Sequence, residues 1–500
     1  MSHSSNHNDS QEATENSPLL PEESIDLTDQ ETSKLSFIKD FRNPHVLWMI
    51  VFSFTLSTIM TSIIAPLVQI VLDVVCLEYY ELNDNNMNST DILSNLIEKD
   101  CKDPQIFSLA ATRLMLYQIC LYVSATLSIG YISTLSDFKG RRFVFRISTL
   151  GIIFACSVVI LMSHHWKVIG SNFLFIGAIV EGLLGGVIAI NTACHAYISD
   201  CTKPVNRSVA FGFMHASAYC GMSIGPILGG IIVEATGSAL SVFYVVICAL
   251  SVFFIFVSFI LPESLSPELR LQNESSTSFP SPKYIFSALI ILNQTPVYSE
   301  NIRNNIWKRN VLYILSIIYF IYRVSQAGQN DIIALYTTRK FGWTTLENGF
   351  FFTLQASTRF MALIVLLPLI RFLQGKYLTT YSRTLDLVMM RIGLIIEIAG
   401  FTLFATAIYP NMFYFACVVN SLATIATPAI RTLFTIFVLP TQAGQILGAM
   451  SVIESVGSIL SPLFLNSLYS ISVLRGFDEI VFWANSLLFV LATFLAFLVL

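Results

Sequence analysis

From about residue 45 to its last residue, this 500-residue sequence is a succession of apolar stretches about 20 residues long, interrupted once by a polar segment of about 45 residues. Such a stretch crosses a bilayer as a helix, because in hydrocarbon a backbone N–H or C=O finds a partner only within its own segment. The chain therefore reads as an all-α membrane protein. With 54% hydrophobic and 12% charged residues and a mean hydropathy of +0.67, it has too few charges to coat a soluble globule of this length. The net charge of -4 carries no sign of a nucleic-acid partner; the lipid bilayer is the expected surrounding.

Twelve spans are read, at about 46–72, 107–133, 144–162, 172–197, 208–233, 239–261, 311–336, 347–370, 387–408, 412–438, 443–471 and 479–500. Residues 1–40 are polar for most of their length and bury too little to offset chain entropy, which predicts a disordered tail. The expected units are that tail, a six-helix bundle over 41–262, a linker over 263–309 and a second six-helix bundle over 310–500. The linker carries Pro267, Pro280 and Pro282, with one apolar patch at Ile285–Leu292 that predicts an interfacial helix. The first apolar segment is long and far from Met1, so it is expected to remain as a membrane helix.

Lys34, Lys39 and Arg42, then Lys139, Arg141 and Arg142, Lys203 and Arg207, Arg303, Lys308 and Arg309, and Arg371, Lys376 and Arg383 fall in one alternating set of loops. That set is expected to be cytosolic, with both termini. The long loop after the first span then lies on the far side, where Cys76 and Cys101 would form a disulfide and the sequon at Asn88 would carry a glycan. The sequons at Asn206, Asn273 and Asn293 fall on the cytosolic side and are expected to be silent.

An internal repeat pairs the fifth span with the eleventh. Aligning Pro226 with Pro462 also aligns Gly212 with Gly448, Met214 with Met450, Gly221 with Gly457 and Gly225 with Ser461. The repeat suggests two pseudo-symmetric bundles.

Two motifs carry a resemblance. After the second span come Ser133, Leu135, Asp137, Gly140, Arg141 and Arg142; Gly140 suits a tight turn, and Asp137 beside two arginines makes a charge cluster. In the fifth span Gly221, Gly225, Pro226, Gly229 and Gly230 allow close backbone approach and a bend. The first run resembles the loop signature of the major facilitator superfamily, departing from it where Ser133 replaces Gly; the second is similar to the fifth-helix signature of that superfamily's antiporters. Leu261, Pro262, Glu263 and Ser264 are similar to the ending of the sixth helix in fungal-type members. The tetracycline-efflux-like and proton-coupled folate-transporter-like branches look nearest, from the fourth- and fifth-span run and the Phe341, Gly342, Trp343 loop. The resemblance implies two bundles rocking around a central cavity, with the Asp137 cluster, joined by Asp200 and Arg207, gating the cytosolic side. It implies transport of a small organic solute by alternating access, coupled to protons, by a monomer. One family element is absent: Glu181, ahead of Gly185, stands where related antiporters carry an arginine.

Ionisable groups at membrane depth cost several kcal/mol unless paired or hydrated, and so mark a pathway. They are Arg113, Glu181, Arg323, Arg359, Glu397, Arg431 and Glu454. Glu181, Arg323, Arg359, Arg431 and Glu454 are the substrate or proton candidates, with Glu181 and Arg323 foremost. Glu454 is expected to neutralise Arg359, and Glu397 and His215 to serve packing. The arginines at this depth favour an anionic substrate.

The sequence has no phosphate-cradling Gly-Lys-Ser/Thr loop, no HExxH and no paired CxxC, so no enzyme, metal or cofactor is expected and a gradient must drive transport. The alternative is a non-transporting membrane sensor on the same fold, which would carry a longer cytosolic segment. In the tail, Glu15, Leu19 and Leu20 resemble an acidic dileucine sorting signal, favouring a vacuolar or other endomembrane location over the plasma membrane.

Overall fold

The computed structural model describes residues 44–83, 101, 103–202, 207–265, 310–377, 382–437 and 443–498. The expected tail with Glu15, Leu19 and Leu20, the Asn88 sequon, and the linker from residue 266 with its expected interfacial helix lie outside the described residues. Among the described residues all regular structure is helical. Eleven helices are long and apolar enough to cross a membrane, and a bent pair makes a twelfth span.

Local chemistry sets where these helices start and break. α1 runs as Val46–Ser62, turns at Ile63, and resumes as Ile64–Asn83. His45 caps its start by accepting the Leu47 N–H at 3.2 Å, and Pro66, which has no N–H to donate, follows the turn. α2 (Pro104–Lys139) begins with Pro104 in its first turn and the Asp103 carboxylate accepting the Gln105 N–H at 2.8 Å. It stops at Gly140, whose φ of 93° only glycine adopts readily, and α3 (Arg141–His164) starts at once. α4 is Leu174–Leu183 and, after a break at Leu184 and Gly185, Gly186–Cys201. α5 is Arg207–Thr236 and α6 is Leu240–Ile255, extended by a π turn to Ile260.

α7 is Val311–Ala327 (α7a) and Gln329–Phe341 (α7b), bent by 42° at Gly328. There the Gly328 N–H donates to Ser461 Oγ at 2.8 Å. α8 (Thr345–Met361, continuing to Tyr377) opens on a reciprocal cap: the Thr344 hydroxyl accepts the Glu347 N–H at 3.4 Å and Glu347 accepts the Thr344 N–H at 2.7 Å. α9 (Ser382–Thr406), α10 (Pro410–Leu422, continuing to Ile436), α11 (Ala443–Leu474) and α12 (Ile480–Leu498) complete the set. α7 differs most from its expected form: the sequence reads as one rod, and the structure bends it at the glycine.

Packing follows the small residues. A Cβ on Gly221 would lie 2.4 Å from the Phe54 carbonyl oxygen, one on Gly225 2.1 Å from Thr61 Oγ1, and one on Gly229 2.1 Å from the Ser62 carbonyl oxygen. These glycines recur every four residues, so they form a single stripe that lets α5 lie against α1 at backbone distance. Pro226 and Gly230 turn instead to α8, where Gly349 would meet the Pro226 carbonyl at 2.5 Å and Gly230 the Leu346 Cα at 2.7 Å. Pro226 and Pro462 both lie inside their helices, equally far from the starts of α5 and α11.

The second long seam joins α2 to α11. Ser108 and Thr112 meet Ser470 at 2.6 and 3.3 Å, and Ser467 meets the Met115 sulfur at 3.1 Å. Next along the same face, Gln118 donates to Asp331 of α7b. Cys76 and Cys101, at the same end, form a disulfide with Cα atoms 5.9 Å apart. We refer to this end as the disulfide end and to the opposite one as the Asp137 end.

Gly225→Val is therefore expected to force α1 and α5 apart and to destabilise the fold by about 1–3 kcal/mol or more. Gly212→Val meets open space and should leave stability unchanged. Thermal unfolding of the two purified variants in detergent checks this contrast.

Candidate functional site

Three charged side chains from three helices of the C-terminal half meet in mid-fold. Glu454 of α11 pairs with Arg323 of α7a at 3.1 Å and with Arg431 of α10 at 3.7 Å. Tyr319, one turn from Arg323, donates its hydroxyl to Glu454 at 3.1 Å, and Arg323 also reaches Ser458 at 3.3 Å. Gly457 lets α11 approach: a Cβ there would sit 2.9 Å from the Arg323 Cβ. The group is partly open, with side-chain exposures of 26% for Arg323, 34% for Glu454 and 50% for Arg431. It faces the other half, since His195 of α4 and His215 and Tyr219 of α5 lie within electrostatic range of Arg431. The His195 and His215 rings are 5.2 Å apart. Two guanidinium groups sharing one carboxylate leave a net positive charge in a space between the halves. Guanidinium forks of this kind recognise carboxylates and phosphates.

The expected pairing of Arg359 with Glu454 is not what forms. Arg359 donates to the Gln326 carbonyl oxygen at 3.2 Å; Gln326 donates to Glu397 at 3.2 Å, and Asn420 donates to the other Glu397 oxygen at 2.6 Å. Arg359 thus belongs to a buried network joining α7a, α8, α9 and α10, with Glu397, expected to be structural, at its centre. Counting along a helix gives depth without direction, so Arg323 and Arg359 were indistinguishable as partners for Glu454.

Glu181 is buried in the N-terminal half, apart from the arginine group. It lies just ahead of the α4 break, where a Cβ on Gly186 would be 3.3 Å from its Cγ. Tyr117 and Tyr122 of α2 and Cys156 of α3 are within its electrostatic range.

At the Asp137 end, Arg141 is buried and donates to Ser136 at 2.9 Å, to Asp137 at 2.6 Å and to Asp200 at 3.1 Å. Glu263 accepts the backbone N–H groups of Arg141 and Arg142 at 2.8 and 3.1 Å, an acidic cap on the positive end of α3. The Arg142 side chain donates to the Ser258 and Val257 carbonyls, the latter at 3.3 Å. Ser264 closes the ring on Asp200 at 2.8 Å. This cluster binds α2, α3, α4 and the end of α6 into one unit. Ser133 lines a cavity of about 80 Å³ beside it, between α2, α3 and α4. The Arg207 side chain lies outside the described residues.

Glu263 was legible in the sequence only as part of the sixth-span ending, without a role, and Asp331 went unassigned. A carboxylate preceded by proline at a helix end could have suggested a capping role for Glu263. Asp331 sits in the polar run Gln329, Asn330, Asp331 near the expected end of its span, so it was not counted at depth. Among the described residues no three His, Cys, Asp or Glu side chains are placed to hold a metal ion.

The family model described as Major Facilitator Superfamily matches residues 85–462. The MFS-type transporter avaJ of Aspergillus versicolor is 21% identical, with 92% of this chain and 89% of that protein aligned. The proton-coupled folate transporter of Bos taurus is 22% identical over 71% of this chain and 72% of its own. Among solved structures, the human organic anion transporter MFSD10 superposes with a TM-score of 0.53 at 17% identity, covering 88% of this chain and 99% of that one. The motifs, the twelve spans and the matched family model agree, and the chain belongs to the Major Facilitator Superfamily.

Proposed function

We propose that this membrane transport protein moves a small organic anion by alternating access, coupled to protons, through the Arg323, Glu454 and Arg431 group. That group carries the reading: it is the partly open charged cluster between the halves, and its excess positive charge suits an anion. The names of two relatives agree with it, one a proton-coupled folate transporter and one an organic anion transporter. In this reading an entering carboxylate or phosphate takes the guanidinium groups of Arg323 and Arg431. Glu454, displaced, takes a proton from water, so one anion and one proton move together and the site's charge is conserved. Glu181, beside the α2 tyrosines, is a second group able to hold a proton.

Alternating access is supported by where the halves touch. The polar contacts that join α2 to α11 and α7b all lie toward the disulfide end. Toward the Asp137 end, His215 and Arg431 are exposed and Gly212 faces open space. The distribution of lysine and arginine makes the Asp137 end cytosolic. The disulfide end then faces a lumen or the exterior, consistent with a glycan at Asn88 and with vacuolar or other endomembrane placement, the chain acting as a monomer.

Flux of a panel of organic anions into vesicles at two pH values tests the function. Arg431→Ala and Arg323→Ala should each raise KM about tenfold or more, the size of a lost charged hydrogen bond. Glu454→Gln should abolish anion accumulation driven by a proton gradient; unaltered proton coupling in that variant would remove Glu454 from the mechanism. A panel without flux, despite measurable anion binding, would instead favour the sensor. Asn88→Gln should increase gel mobility, and a glycosidase should do the same to the wild-type protein; no change in either argues against a glycan at Asn88.

A further inference from the structure

The seam that closes the disulfide end contains one ionisable pair partner, Asp331, and its hydrogen bonding is incomplete in an informative way. Gln118 of α2 donates its amide N–H to Asp331 Oδ2 of α7b. The other end of the same amide, Gln118 Oε1, is a buried acceptor with no donor. A buried acceptor left unpaired costs about 1–3 kcal/mol, and an ionised carboxylate, which is acceptor-only, cannot relieve it. A protonated carboxyl can: its second oxygen carries an O–H, and an acid facing an amide forms two antiparallel hydrogen bonds.

No other group on the seam offers a substitute. Among the described residues no cation pairs with Asp331. On α2, Tyr117 and Tyr122 are the titratable side chains within its electrostatic range. α1 also packs on α7b, but its Asp73 is bonded to Gln69 and its Glu78 to Ser171. From α11, Glu454 is held by Arg323 and Arg431, and Tyr469 faces Arg339, Asp478 and Tyr336. On α7b itself, Arg339 and Lys340 are paired with Asp478 and Glu479.

We infer that Asp331 carries a proton in this closed arrangement and that the Asp331–Gln118 acid–amide pair is a proton-loaded latch between the two halves. Loading takes one proton from water at the disulfide end onto Asp331 and removes one negative charge. Unloading returns the proton to water and restores the charge, which gains from hydration that only an opened seam supplies. Opening at the disulfide end and loss of the proton therefore go together. This rests on the proposed alternating access, to which it adds a protonation-dependent closure of the disulfide end; the proton that crosses with the anion is the one on Glu454.

The test uses the full chain in vesicles, with cysteines at Ser108 and Ser470, whose hydroxyls are 2.6 Å apart, and each single-cysteine variant as control. Because the thiolate is the reacting form and grows with pH, each cross-linking rate is taken relative to that of Asp331→Asn, whose amide offers both a donor and an acceptor at every pH. That ratio should be near one at acidic pH and fall severalfold at alkaline pH. In infrared difference spectra between the two pH values, the carboxylic-acid carbonyl band should be absent in Asp331→Asn and displaced in Gln118→Leu. A ratio that stays the same at both pH values overturns the latch, as does an unmoved acid band. If Asp331→Asn does not reach the membrane, the Gln118→Leu spectrum decides alone. Proton-coupled flux with an unaffected seam would sink the latch and leave the transport function standing, whereas a titrating seam in a protein without flux would do the reverse.

Discussion

In lipid a backbone polar group has no solvent to turn to, and this one constraint makes every span a helix and leaves side chains to do everything else. Helices without a hydrophobic drive between them associate by fit. In this protein the fit is glycine against carbonyl: α5 presents Gly221, Gly225 and Gly229 to α1 on one side, and Pro226 and Gly230 to α8 on another. α5 is thus a shared rod, touching a neighbour in its own half and one in the other. The seam of α2 on α11 is its counterpart under the internal repeat, built from hydroxyls where the first is built from bare backbone.

Charge is sorted on this scaffold into three environments. At the Asp137 end, Arg141 is surrounded by Ser136, Asp137 and Asp200, and Glu263 caps the helix that follows. Arg141 there is buried and held by three side-chain partners, as a structural joint requires. The Arg359, Gln326, Glu397 and Asn420 network centres on a buried Glu397, with amides spacing two opposite charges, and leaves Arg359 Nε and Asn420 Oδ1 without partners. The Arg323, Glu454 and Arg431 group differs in being partly open and unbalanced, so its partners can be exchanged.

Much of this was legible in the sequence, for reasons that also explain what was not. Hydropathy at a 20-residue scale gave twelve spans, because each must be continuous and apolar; it missed the bend at Gly328 because the two halves of α7 pass together as one span, and an average along the chain carries no direction. Depth could be counted for Arg323, Arg359 and Glu454, but the helix face on which each lies depends on packing, and so the Glu454 partner was misassigned. Asp331 was hidden by its company, since Gln329 and Asn330 make the run look like a helix end approaching water. It is partly covered by α2, through a contact 213 residues apart in sequence. The Gly140 turn, by contrast, was readable because only one residue type fits a φ of 93° without strain.

The bond between Cys76 and Cys101 joins the end of α1 to the residues that lead into α2. That covalent bridge connects the two helices directly and closes the intervening chain into a covalent ring. Lengthening such a ring costs only a slowly growing closure entropy and leaves the spacing of the rods untouched. Residues added to such a ring would leave the two helices held together as before, because the bridge and not the ring sets their separation.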